Sequence, residues 1–273
     1  MGLRALVAGL AVATVATASV TGAAYLLGRQ LPSGGFAEPG GAPSPQLTAW
    51  AVLGLRAAGQ NPNDSALPYL VASEPGLADA TDVELVVMAE ITLGRRPERL
   101  LARIRGFERP GGAIGPAVDS TIWGILALRQ AGEKAPGGAI RYLRRQQRSS
   151  GGWGWFPGGA PDSNDTAAAV EALRAAGVRG APVRHGLAYL RRLQNRDGGF
   201  GLTLSSGSDS QSTAWAVQAF VAARTAVPRG ALRYLHRMRR SDGSFRYSAR
   251  YVTTPVWVTA QVLPALARRA FPL

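Results

Sequence analysis

Two aspartates, Asp162 and Asp165, stand three residues apart at the head of the apolar run DSNDTAAAVEAL. Negative side chains suit a helix start, where they satisfy free N–H groups and the helix dipole. Ser120 and Ser212 hold the place of Asp165 in the similar segments STIWGILALRQAG and STAWAVQAFVAAR, which supports capping. A second group is aromatic. Trp50, Trp123 and Trp215 each follow a repeated Thr by two residues, and Trp257 lies near that place in the last segment. Such a belt is either core packing or the wall of a cavity for flat apolar ligands or cations. Glu171 and Gln218 come three residues further along the same face. On apolar helices a carboxylate and an amide need partners if buried. Glu84 and Glu90 pose the same question, with Arg as the alternative partner. The candidate ligand-binding set is thus Trp50, Trp123, Trp215, Trp257, Glu171 and Gln218.

Composition removes several chemistries. The chain has no cysteine, so disulfides, thiolate zinc sites and Cys nucleophiles are excluded. Its two histidines, His185 and His236, are too few for an ordinary zinc site, and neither metal nor cofactor is expected. The net charge of +14 invites a nucleic-acid reading. No zinc-finger or recognition-loop pattern supports it. The charge instead suits a solvated basic face, or one drawn to an anionic cell envelope. Residues 1–18 open with one positive charge, Arg4, continue uncharged, and end in the small-x-small site Ala16-Thr17-Ala18. They read as a secretory signal peptide, with an uncleaved membrane anchor as the alternative. The expected location is secreted or cell-surface, and residues 19–273 form a single repeat domain.

The elements that would position these residues recur. AIRYLRRQQRSSGGWG from Ala139, HGLAYLRRLQNRDGGFG from His185 and ALRYLHRMRRSDGSF from Ala231 are variants of one pattern. So is AAYLLGRQLPSGGF from Ala23, and RLLARIRGFERPGGAIG from Arg99 is a looser match. Each is a basic amphipathic helix, a Gly pair and usually an aromatic, followed by a variable loop and an apolar helix. Between Gly34 and Gly111 lies room for two units, and LPYLVASEPGLADATDVELVVMAEITLG from Leu67 fills the second without its Gly pair. Six units of two helices predict twelve helices, basic ones outside and apolar ones inside. Neither end carries a polar capping unit, which favours a closed ring over an open solenoid. Parallel inner helices gather their N-termini at one rim. That rim, with Thr48, Thr121, Thr166 and Thr213, is the expected place for an anionic or carbonyl group of a ligand.

AIRYLRRQQRSSGGWG resembles the Gln–Trp repeat of squalene–hopene cyclases and their relatives, over about residues 20–270. DSNDTAAAVEAL resembles the class II terpene cyclase segment that carries an Asp-x-Asp-Asp-Thr-Ala motif. The resemblance is to the prenyltransferase/squalene cyclase repeat superfamily, which also includes protein prenyltransferase β subunits, thioester domains and cobalamin carriers. It implies an all-α chain folded as an α/α toroid of six helix pairs, an α6/α6 barrel. In the cyclases the middle Asp is the general acid, and here that place holds Asn164, an amide with no proton to give. Asp162 and Asp165 flank it and are the catalytic candidates if the chain is cyclase-like. Prenyltransferase zinc and thioester chemistry both need a Cys that is absent. The expectation is an exported toroid that binds an apolar or corrinoid-like small molecule without catalysis. The alternatives are a terpene cyclase-like enzyme and a structural or protein-interaction repeat.

Overall fold

A computed structural model describes residues 22–273. The 1–18 signal or anchor segment lies outside the described residues, among which no helix is long and apolar enough to cross a membrane. Twelve helices are described. They are α1 (described over 22–27), α2 (Pro45–Ala57), α3 (Ala66–Ser73), α4 (Ala80–Thr92), α5 (Glu98–Gly106), α6 (Val118–Gln130), α7 (Gly137–Arg145), α8 (Ser163–Ala175), α9 (Ala181–Arg192), α10 (Ser210–Ala222), α11 (Ala231–Met238) and α12 (Pro255–Leu266). A hairpin of two-residue strands, β1 (Phe200–Gly201) and β2 (Ser208–Asp209), is the one sheet among the described residues besides isolated bridges.

The two helix types separate by pattern. In α7, Ala139 and Leu143 are buried while Arg141, Arg144 and Arg145 are exposed, so one stripe faces the core. In α6 every residue from Val118 to Leu128 is buried, because neighbours surround it on all sides. The even-numbered helices form the inner ring. Each packs on the next, α2 on α4 and so on round to α10 on α12, and α12 returns to α2. The chain is therefore an all-α toroid of six helix pairs, closed on itself. At the closing seam Gly54 of α2 lies against the backbone of Ala260, where a Cβ would meet the carbonyl oxygen at 2.5 Å.

The repeated Thr has a structural task, and the sequence expectation for it is corrected. Thr48, Thr121, Thr166, Thr213 and Thr259 are fully buried and accept the N–H of Phe36, Ile114, Trp153, Phe200 and Phe245 at 2.9–3.0 Å. Each hydroxyl pins the strand-like residue after the Gly turn to its inner helix, so none is left for a ligand. The caps also shift. Ser44, Asp162 and Asp209 are the N-caps of α2, α8 and α10, and each accepts an N–H three residues on. Ser120, Asp165 and Ser212 sit inside the first turn, not at the cap.

The variable loops stitch neighbouring units together. The carbonyl of Trp155 accepts Val118 N–H at the start of α6, that of Leu202 accepts Ser163 N–H of α8, and that of Tyr247 accepts Ser210 N–H of α10. Glu38 of the first unit completes the circuit. Its carboxylate accepts the N–H groups of Val256 and Trp257 at 3.0 and 2.9 Å, at the start of α12.

Candidate ligand-binding site

The first turns of all six inner helices enclose a cavity of about 440 Å³, within the usual range of small-molecule sites. Its wall has two levels. Gln46, Thr81, Asp119, Asn164, Gln211 and Trp257 make the upper one, each from a different inner helix. Trp50, Leu85, Trp123, Ala168, Trp215 and Gln261 make the lower one, each four residues further on. At 100° per residue, positions i and i+4 share a face, while the intervening Thr points the opposite way. Trp257 thus belongs to the upper level, and Gln261 takes the place that Trp holds in other units. The structure brings Trp50, Trp123, Trp215, Trp257, Asp162 and Asp165 to one cavity.

The floor is a cluster of tryptophans. Trp50, Trp123 and Trp215 lie with centroids 5.3–5.9 Å apart and planes 81–86° to one another, the favourable edge-to-face geometry. Trp123 Nε1 donates to Asp119 Oδ1 at 3.0 Å, and Trp215 Nε1 donates to Gln261 Oε1 at 2.9 Å. Beneath them Phe271, from the segment after α12, touches all three with centroids 5.9–6.2 Å away.

Glu171 and Gln218 are not in this cavity. Both are fully buried one helical turn below the tryptophans. Glu171 Oε2 accepts Phe271 N–H at 2.7 Å, and Gln218 Nε2 donates to the carbonyls of Ala214 and Gln261. Burial holds the Glu171 carboxyl well above the usual range. Glu90 pairs with Arg95. Glu84 has no partner on either oxygen, and burial, aided by the nearby Asp119 charge, holds its carboxyl well above the usual range.

Three carboxyls meet at the upper level. Asp162 Oδ1 accepts Asp165 N–H at 2.9 Å as the α8 cap. Asp165 is 4% exposed, lines the cavity, and has Oδ2 buried without a partner. Burial first, then the charges of Asp162 and Asp119, pushes its pKa up to about 10. Burial also raises Asp162. Asp119 rises to about 6, because burial outweighs hydrogen bonds from Thr81 and Trp123. Asp165 is therefore the neutral member of its pair with Asp162 at pH 7, at the wall of an aromatic cavity. The sequence reading missed Asp119. The signal was its place four residues before Trp123, level with Asn164 of the next unit.

Three loops after the Gly turns carry exposed apolar side chains. Trp155, Phe156, Leu202, Leu204, Tyr251 and Val252 are exposed on three successive loops, and Leu27 is the only other exposed large hydrophobic among the described residues. Trp155 and Leu202 reach into the cavity wall.

Residues 121–272 match the family model of the squalene-hopene cyclase C-terminal domain. The chain belongs to that family. No curated protein matches it in sequence. A crystal structure of a protein from Actinoplanes superposes with a TM-score of 0.72 at 21% identity, over 93% of this chain and 99% of that one. A single-substitution variant of the type II terpene cyclase MstE from Scytonema, bound to geranylgeranyl dihydroxybenzoate, gives 0.70 at 15% identity, over 94% and 97%. A glycosidase in complex with glucose gives 0.61 at 13%, over 94% and 98%. Likeness at these identities is one of fold, and this fold carries unrelated chemistries.

Proposed function

We propose that this family member binds an apolar, isoprenoid-like small molecule in the rim cavity and does not transform it. The observation that carries the reading is the joining of four tryptophans from separate units with one neutral acid, Asp165, in a single cavity. The ligand's apolar body lies on the tryptophans, and Asp165 donates to an acceptor oxygen at its end. A cavity of about 440 Å³ suits one isoprenoid chain or a small polycycle better than a corrinoid. The exposed apolar side chains on the loops that carry Trp155 and Leu202 fit delivery from a lipid environment, and the basic outer helices fit an anionic envelope.

A cyclase-like reading has the family and the protonated Asp165 in its favour. Against it, a carboxyl with a pKa near 10 is neutral because it holds its proton tightly. Protonating an alkene needs a strong acid, and the place of the family's acid holds Asn164.

Five of the six tryptophans line the cavity, so intrinsic fluorescence reports its occupancy. Titration with farnesol and geranylgeraniol is expected to give a saturable change, with unaltered ligand recovered. Absence of saturable binding by both overturns the binding reading. Cyclic product from the wild-type protein replaces it with the cyclase reading.

A further inference from the structure

The segment after α12 carries no repeat pattern, yet it enters the middle of the ring. Phe271 is 3% exposed, and its ring packs against all three floor tryptophans, edge-on to Trp50 and tilted to Trp123 and Trp215. Its backbone N–H is fixed by Glu171 Oε2 at 2.7 Å, and Leu273 N–H is held by Gln130 Oε1 at 2.8 Å. A second cavity, of about 460 Å³, lies on the far side and is lined by Glu171, Phe271 and Leu273. The three tryptophans and Phe271 thus shut the passage between the two cavities.

Phe271 alone does not shut it. The three tryptophans already meet one another above it. The indole N–H bonds that hold Trp123 and Trp215 run upward and sideways, to Asp119 and Gln261. From below, the ring of Phe271 packs against all three. Deleting its ring would leave an apolar space into which an indole can turn, and the floor would drop.

From this we infer that Phe271 is a positioning residue that sets the depth of the ligand cavity, and with it the length of apolar chain the protein accepts. The inference rests on the binding reading above. The ligand never touches Phe271; the residue acts through the tryptophans. Glu171 belongs to the same device: its buried carboxyl, held well above the usual range by desolvation, accepts the Phe271 N–H and fixes the ring's backbone.

The test compares farnesol with geranylgeraniol, one isoprene unit longer, on full-length wild type, Phe271→Ala, Phe271→Leu and Phe271→Trp. The expected result is a shift of the affinity ratio toward geranylgeraniol by about tenfold or more in Phe271→Ala, the effect of burying roughly two further methylenes. Phe271→Leu shifts it less, and Phe271→Trp shifts it the other way. Toluene serves as a chemical rescue, since a dry apolar cavity of about 150 Å³ binds a small aromatic. It is expected to raise the melting temperature of Phe271→Ala, not of wild type, and to return the ratio to the wild-type value. A purely structural role would weaken both alcohols alike and leave the ratio fixed, which overturns the inference while sparing the binding reading. Binding of neither alcohol to any of the proteins overturns both. Should Phe271→Ala fail to fold, the Leu and Trp variants carry the same comparison.

Discussion

Asp165 and Asn164 illustrate how one residue's neighbours decide its chemistry. Asn164→Asp would restore the sequence pattern of a class II acid, but it would place a fourth carboxyl beside Asp119, Asp162 and Asp165. Like charges in a buried cluster make each proton harder to remove, the reverse of what a strong acid needs. Asn164→Asp is therefore expected to yield no cyclic product from squalene or geranylgeranyl diphosphate by gas chromatography; product from this variant alone would mean a silenced cyclase. The same cluster governs stability. Folding raises the Asp165 pKa from about 3.9 to about 10, so the native state binds the proton that the unfolded state releases. Its contribution is full below the unfolded value and is lost as pH rises toward 10. Asp119 and Asp209, both raised to about 6 chiefly by burial, act in the same sense at lower pH. The melting temperature of wild type is expected to fall by several degrees from pH 5 to pH 8. Asp165→Asn, permanently neutral, is expected to fall less; parallel curves would show that Asp165 does not carry the proton.

At the scale of elements, the unit works because a buried Thr joins a Gly turn to an inner helix. Thr213 accepts Phe200 N–H and donates to Asp209 O at 2.6 Å. Thr213→Val keeps the shape and orphans the amide, at a cost of about 1–3 kcal/mol. That corresponds to roughly 2–4 °C of melting temperature per kcal/mol in a domain of this size. Thr213→Ser keeps the hydroxyl and is expected to cost less, and equal losses in both would refute the pinning role. This device also explains what the sequence revealed. Gly pairs, aromatics and Thr recur because five of the six units use the same turn, so twelve helices and the ring were readable. The tryptophans were readable as a belt for the same reason. Asp119 was not, because attention to the recurring Thr leads to the wrong face of the helix. Glu171 and Gln218 share the tryptophan face yet lie a turn deeper, which spacing alone cannot rank. Phe271 belongs to no repeat, and its contacts with Trp50, Trp123 and Trp215 join residues remote in sequence.

For the whole molecule, closure has replaced the capping units that an open array needs. The units share one continuous core, so unfolding is expected as a single transition, by circular dichroism and by tryptophan fluorescence alike. Two separated transitions would show that part of the ring melts alone. Of the six junctions between neighbouring units, five are backed by the chain itself. The sixth, between α12 and α2, is held among the described residues by packing, by the Gly54–Ala260 approach and by the two bonds to Glu38. It is the seam of the ring, where local opening needs no stretching of backbone. Val256 and Trp257 amides are accordingly expected to exchange with deuterium ahead of the Ser163 and Ser210 amides, which occupy matching positions at covalent junctions. Joining 273 to 22 through a flexible linker and opening the exposed turn at Lys134 would move the covalent gap to another junction. The fast-exchanging site would then travel with the cut, marking the seam as a property of connectivity rather than of any one unit's residues.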